Sequence, residues 1–396
     1  MTLRRCTITV LLAVASVVSA GHAAAATKPR WAAHIDRIVA GHPMSVVVGN
    51  GGHVWYRHRA TIARPPASNE KLLLSMALLD RFGATHTFVV RAQAAGVDAD
   101  GAIAGDLYLR GEGDPEVGDA RLHALAKRLW QAGVRSIGGH VVGVTGPFRR
   151  DWFAPGWKSY FPRDYVALPT ALTFRGNTAG GRHITDPERR AAAFLTRALR
   201  DRGITVGSRA TAGTGGAALD VIASASSKPL RTIMVHMDRR SINFFAEVLG
   251  KALAYRWGDV ATIANGAARI CALEAARGVS GTCHDSSGLS YRNRQTALGI
   301  VRMLWWADRQ PWLGALRAAL PHANQGTLRH RLGGIKIRAK TGTLINVSAL
   351  SGWVWSEAAG RWVAFSILSS GMSTSTAKDL EDKVAGVLAA RSHKPR

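Results

Sequence analysis

Residues 68–82 constrain the fold more than any other stretch. The runs Leu72-Leu73-Leu74 and Met76-Ala77-Leu78-Leu79 leave almost no polar face at helical spacing. A helix apolar nearly all round has to be enclosed on every side, and Gly83 supplies its C-terminal stop. Enclosing it takes a large core. The chain has 396 residues, 47% of them hydrophobic, which is enough and excludes global disorder. Yet this buried helix opens on Ser68-Asn69-Glu70-Lys71. The Ser-x-x-Lys spacing sets an amine one turn from a hydroxyl on the same face. The positive field of a helix N-terminus favours a developing alkoxide there. Burial or a nearby positive charge lowers a lysine's pKa and lets it act as a base, which arginine cannot do. In a chain with 41 Arg and 11 Lys, a lysine at this position carries information. The second match, Ser375-Thr376-Ala377-Lys378, reads as an ordinary surface helix start.

The chain begins with a secretory pattern. Arg4 and Arg5 precede an uncharged apolar run over 7–20, and His22-Ala23-Ala24-Ala25-Ala26 offers small residues for cleavage before Thr27. Residues 1–26 are therefore expected to be a signal peptide, with the apolar run too short for a permanent span. Export leaves a mature net charge of +24 and changes its meaning. The polyanions met outside the cytoplasm are wall polymers and lipid headgroups, so electrostatic contact with an anionic wall or membrane surface competes with a simple Arg-rich surface. Nucleic acid is not expected as a partner, because the arginines form no stripe interleaved with aromatics. Cys271 and Cys283 remain after cleavage. An even pair in an oxidising compartment favours a disulfide closing a short loop; two buried thiols are the alternative.

The hydrophobic pattern predicts a hairpin over 44–57 around Gly49-Asn50-Gly51-Gly52. Strand-like pieces follow at 88–92, 107–110 and 140–144, with a helix over 120–132. Aromatics then cluster at Trp152, Phe153, Trp157, Tyr160, Phe161 and Tyr165. Helices are expected over 187–200, 228–237, 243–255, 265–277 and 295–308, with 211–218 a turn region between them. Strands over 348–355 and 362–368 and a helix over 377–390 end the chain. The expected division is a catalytic domain from 27–87 and 176–396, with 88–175 inserted.

Two further triplets carry chemistry. Ser241-Ile242-Asn243 is the only Ser-x-Asn in the sequence and Lys340-Thr341-Gly342-Thr343 contains the only Lys-Thr-Gly. A second hydroxyl relays a proton between a lysine and a leaving amine. An amide side chain holds a peptide carbonyl. A lysine and threonines on an edge strand bind a substrate carboxylate, and a glycine there admits the substrate close to the backbone. The order Ser-x-x-Lys, Ser-x-Asn, Lys-Thr-Gly is the constellation of penicillin-recognising serine enzymes. No metal or cofactor is expected: His-Glu-x-x-His is absent and the 14 histidines show no ligand spacing, which disfavours a zinc peptidase. Gly-x-Ser-x-Gly is absent too, which disfavours an α/β-hydrolase.

On these motifs the chain resembles the class C low-molecular-mass penicillin-binding proteins, the D-alanyl-D-alanine carboxypeptidase/endopeptidases of the penicillin-binding-protein-4 type. Pro66-Ala67-Ser68-Asn69-Glu70-Lys71-Leu72 follows the family's Pro-Ala-Ser-x-x-Lys-Leu. Asp106-Leu107-Tyr108-Leu109-Arg110-Gly111-Glu112-Gly113-Asp114-Pro115 resembles its inserted-domain strand, and Asp285-Ser286-Ser287-Gly288-Leu289-Ser290 its Asp-Gly-Ser-Gly-Leu-Ser loop. The resemblance implies an α/β (α+β) serine β-lactamase/transpeptidase-like fold, an antiparallel sheet flanked by helices with one smaller inserted domain. It implies Ser68 as acylated nucleophile, Lys71 as base, and Ser241 and Asn243 as relay and substrate contact. Lys340, Thr341 and Thr343 would bind the terminal carboxylate, with the amides of Ser68 and Thr343 as oxyanion hole. Peptidoglycan peptides ending in D-Ala-D-Ala are the implied substrates and β-lactams the implied covalent inhibitors. A serine β-lactamase, or a non-catalytic wall-binding protein of the same fold, are the alternatives. Two departures stand out. Ile242 occupies a position the family often fills with Asp or Asn. The stretch from Ser68 to Ser241 is short, as if one inserted domain were kept, a smaller one lost and the site more open.

Overall fold

The computed structural model describes residues 28–216 and 219–394; the expected signal peptide, residues 1–26, lies outside them. One antiparallel sheet of five strands organises the larger part. Its order is Ile337–Leu344, Val347–Ser356, Arg361–Ser370, Met44–Asn50, His53–His58, so the strand carrying Lys340 lies at an edge. Period-2 alternation divides its side chains between two cores. Val46, Val48, Leu350, Val354, Phe365 and Ile367 meet the helices Arg30–Val39 and Thr374–Arg391 on one face. Val47, Ala349, Trp353, Ala364 and Leu368 belong to the other core, with the helices Glu70–Phe82, Leu230–Arg240, Asn243–Arg256 and Ala297–Ala307. The predicted hairpin forms, and Gly51 and Gly52 take positive φ at its turn.

The apolar helix is enclosed as expected: every residue from Glu70 to Leu79 is buried, and Gly83 caps it at φ 78°. It begins at Glu70, two residues after the expected start at Ser68, because Ala67–Asn69 form a 3-10 turn ahead of it. The helix Ile263–Ala275 lies against Asn243–Arg256, where a Cβ on Gly266 would lie 2.7 Å from the Gly250 backbone, while one on Gly250 would meet Ser286 Oγ at 2.1 Å. Cys271 and Cys283 form a disulfide with Cα atoms 5.9 Å apart, tying the end of that helix to the segment before the Asp285 loop.

The inserted layer extends beyond the expected 88–175. Its five-stranded sheet runs Thr211–Gly213, Val141–Val144, Leu107–Arg110, Val89–Ala94, Asp220–Ser226. Helices Asp119–Gln131 and Pro187–Arg200 cover it, with a separate core of Val90, Leu107, Leu109, Leu122, Leu129, Leu195 and Leu199. Residues 211–213, expected as a turn, pair in parallel with Val142–Val144; backbone pairing overrides their weak side-chain signal. Conversely, part of the expected insertion packs on the larger body. Phe148, Ala167 and Ala171 enter its main core, and Ala154, Trp157, Phe161 and Val166 cluster with Ile263 and Leu289.

Candidate active site

Three pieces of chain converge on the turn before the buried helix. Ala67, at φ 47°, swings Ser68 outward. The edge strand passes so close that a Cβ on Gly342 would lie 2.6 Å from the Pro66 carbonyl oxygen. From the other side, a Cβ on Gly288, at φ +81°, would lie 1.9 Å from the Ala67 oxygen. Both glycines are thus required by protein packing. For Gly342 this is a packing reason beside the sequence-based one, approach of substrate to its backbone.

Lys71 Nζ lies 3.0 Å from Ser68 Oγ and 2.8 Å from Asn243 Oδ1, and donates to the Ser287 carbonyl oxygen. Lys340 Nζ lies 3.0 Å from Ser241 Oγ and 2.9 Å from its neighbour's carbonyl, that of Thr341. Ser241 reaches this place because it caps the helix Leu230–Arg240 in the left-handed region, φ 55° and ψ 46°. Asn243 opens the next helix, and its Nδ2 donates to the Tyr165 carbonyl at 3.1 Å. Both lysines are fully buried. Burial lowers Lys71 to about 8 against the opposing pull of Asp285, Glu247, Asp238 and Glu70. Burial and the charge of Lys71 lower Lys340 to about 7. Each amine can therefore exchange a proton near neutral pH.

A cavity of about 570 Å³ opens above Ser68, and Ser241, Asn243 and Thr343 line it with Ser68. Lys71 and Lys340 lie beneath this wall. Thr341 is nearly buried and its hydroxyl donates to Thr327 Oγ1 at 2.6 Å. Ile242 packs against the main core outside the cavity lining. The second Ser-x-x-Lys stands on the surface, but Ser373 and Thr374 just before it reach the cavity rim.

Behind the site stand three carboxyls: Asp285, which the sequence marked only through the resemblance of its loop, and Glu247 and Asp238, which escaped sequence reasoning. Asp285 accepts from Trp157 Nε1 at 2.6 Å, the Gly288 and Ser290 amides at 2.9 and 2.8 Å, and Asn293 Nδ2 at 2.7 Å. Glu247 accepts from the Ser286 and Ser287 amides at 3.2 and 2.8 Å. Together they fix the loop that offers its carbonyl to Lys71. Burial, reinforced by the charge of Asp285, raises Glu247 to about 8. Asp238, one turn before Ser241, accepts from Ser75 Oγ at 2.8 Å and is raised to about 7 by burial. A carboxyl inside the otherwise apolar segment Phe244–Leu249 was the available signal for Glu247.

The chain matches the model of the D-Ala-D-Ala carboxypeptidase 3 (S13) family over residues 39–180 and 177–391. It is 27% identical over 418 residues to a D-alanyl-D-alanine carboxypeptidase of Actinomadura sp. (strain R39), covering 82% of this chain and 76% of that protein. The structure resembles penicillin binding protein 4 of Haemophilus influenzae with a TM-score of 0.75 at 18% identity, over 89% of this chain and 99% of the other. It resembles a predatory endopeptidase of Bdellovibrio bacteriovorus with a TM-score of 0.53 at 18% identity, over 87% and 92%.

Proposed function

The chain belongs to the D-Ala-D-Ala carboxypeptidase 3 (S13) family of serine peptidases, and on that premise we propose that it cleaves the D-Ala-D-Ala bond of peptidoglycan stem peptides through an ester on Ser68. Neutral Lys71 takes the Ser68 proton as Oγ attacks the carbonyl carbon. The oxyanion points to the amides of Ser68 and Thr343. Collapse breaks the C–N bond, and the leaving amine receives a proton through the Ser241 hydroxyl from the lysine pair. Water, deprotonated by the same base, then attacks the ester and Ser68 regains its hydrogen. Thr343 holds the terminal carboxylate with the buried charge of Lys340 behind it, while Asn243 orients the peptide. Thr341 acts through Thr327 and the strand.

The observation that carries this reading is the double contact: one buried amine at 3.0 Å from Ser68 Oγ and a second at 3.0 Å from Ser241 Oγ. A β-lactam would acylate the same oxygen. Labelled penicillin tests it: wild-type protein becomes labelled and folded Ser68→Ala does not. Labelling that survives in Ser68→Ala overturns the assignment. Defined cross-linked and uncross-linked muropeptides then separate endopeptidase from carboxypeptidase action. Such substrates lie outside the cytoplasm, in keeping with the N-terminal secretory pattern. The net charge of +26, or +24 once Arg4 and Arg5 leave with the expected signal peptide, supports salt-sensitive retention on anionic wall material; retention unchanged by salt would remove that contact.

A further inference from the structure

The helix Asn243–Arg256 carries Asn243, Glu247 and Lys251 at intervals of four along an otherwise apolar, buried length. That spacing keeps them on one face. The first two serve the site directly: Asn243 meets Lys71, and Glu247 fixes the loop of Ser286 and Ser287. Lys251 has no part in the reaction steps, yet it is fully buried, which lysines almost never are unless paired. Its Nζ donates to the carbonyl oxygens of Arg149 at 2.9 Å, Asp151 at 3.1 Å and Pro169 at 3.1 Å, and it stands 2.7 Å from the Asp151 carboxylate. An ammonium has three N–H groups; each meets a carbonyl here, and the carboxylate supplies the counter-charge. The other Asp151 oxygen accepts from the Ile263 amide at 2.8 Å, at the start of the helix Ile263–Ala275.

Those carbonyls belong to the two ends of one loop. The chain leaves the inserted layer after Val144, crosses to the larger body and rejoins the inserted core at Leu172. The stretch between the ends roofs the cavity. Phe161 and Tyr165 line it, the Tyr165 carbonyl accepts from Asn243 Nδ2 at 3.1 Å, and Trp157 Nε1 donates to Asp285 at 2.6 Å. We infer that Lys251 is a positioning residue of the active site: its ammonium closes the neck of the loop 149–169 and so holds the roof against Asn243 and Asp285. Fixing both ends of a long loop to one point removes much of the freedom of what lies between. Neither end can leave without stranding buried polar groups, which makes the tie stiffer than backbone hydrogen bonds alone. The inference rests on the acyl-serine reading, in which Asn243 orients the peptide and Asp285 fixes the loop that offers its carbonyl to Lys71.

Lys251→Met keeps the stem and removes the ammonium. In variant protein that circular dichroism shows to be folded, well below its melting midpoint, the second-order rate of acylation by labelled penicillin should fall by about 10- to 100-fold. Arg149, Arg150, Lys158 and Arg163 are exposed within the loop, so trypsin reads the roof separately. Wild-type protein should resist cutting there, and the variant should be cut first between residues 149 and 163. Leu129→Ala, in the core of the inserted layer, is the control: it should lower the midpoint and leave the acylation rate and the cutting pattern as they are. Lys251→Met with Asp151→Asn leaves no buried carboxylate without a counter-charge, and it replaces the single variant should that one fail to fold. A folded variant that labels within about twofold of wild type overturns the inference. So does one cut no faster within the loop, or a control that loses as much rate. Wild-type protein that takes no label defeats the acyl-serine chemistry, whereas a labelled wild type with an unmoved variant defeats only the clamp.

Discussion

Replacing Lys71 by arginine removes proton exchange while keeping positive charge. With Lys71 lowered to about 8, about one amine in ten is neutral at about pH 7, against about one in three thousand for an unperturbed lysine, a gain of about 300-fold in available base. Lys340 must be charged to draw the carboxylate, and it is lowered to about 7. The two amines titrate as a pair: once Lys71 is neutral its charge no longer lowers Lys340, so the productive form, Lys71 neutral and Lys340 charged, is most populated between the two values. The second-order rate of acylation by labelled penicillin should therefore trace a bell with its top between about pH 7 and 8. Lys71→Arg should lower the rate by about 10²–10⁴-fold with no rising limb. Stopped-flow labelling across the range, with circular dichroism to confirm folding, provides the measurement. A wild-type rate flat across the range, or an arginine variant within a few-fold of wild type, refutes the reasoning.

Gly288→Ala should misplace the Ser68 turn, because its Cβ would meet the Ala67 oxygen at 1.9 Å in a backbone region that disfavours alanine. An acylation rate down about 100-fold in folded protein is expected, and an unchanged rate refutes it. Removing the disulfide by Cys271→Ser with Cys283→Ser should cost about 3 kcal/mol of stability, read from denaturant midpoints; a midpoint equal to wild type would show that the loop needs no tie. Burial raises Glu247 to about 8, Glu274 and Asp238 to about 7 and Asp114 to about 6, each above its unfolded value. Their contribution to stability is complete below about pH 4 and fades as pH rises through these values, so the urea midpoint should fall from about pH 5 to 7. A midpoint that rises over that interval contradicts it.

The enclosed helix, the hairpin and the terminal strands were legible because unbroken apolar runs and Gly-rich turns allow few alternatives. The reactive side chains were legible because Ser68, Lys71, Ser241, Asn243 and Lys340 sit in short triplets whose spacing already implies their faces. The end of the insertion was not. Asp220–Ser226 acquires its identity only by pairing with Val89–Ala94, more than 120 residues away, and local composition holds no trace of that partner. The carboxyls behind the lysines were hidden for a similar reason. Asp238 looks like an ordinary helix-surface acid until the neighbouring helices close over it, and Glu247 shows only as a carboxyl within an apolar run.

Chain entry to the inserted layer and exit from it lie side by side, with Val89 opposite Ser226. A unit joined in that way would ordinarily be removable by splicing one short bridge. Here the loop between two of its strands crosses back to roof the reactive serine and lends a tyrosine carbonyl to Asn243. Evolution can therefore resize this module's far end freely, but excising it whole would take the ceiling off the chemistry.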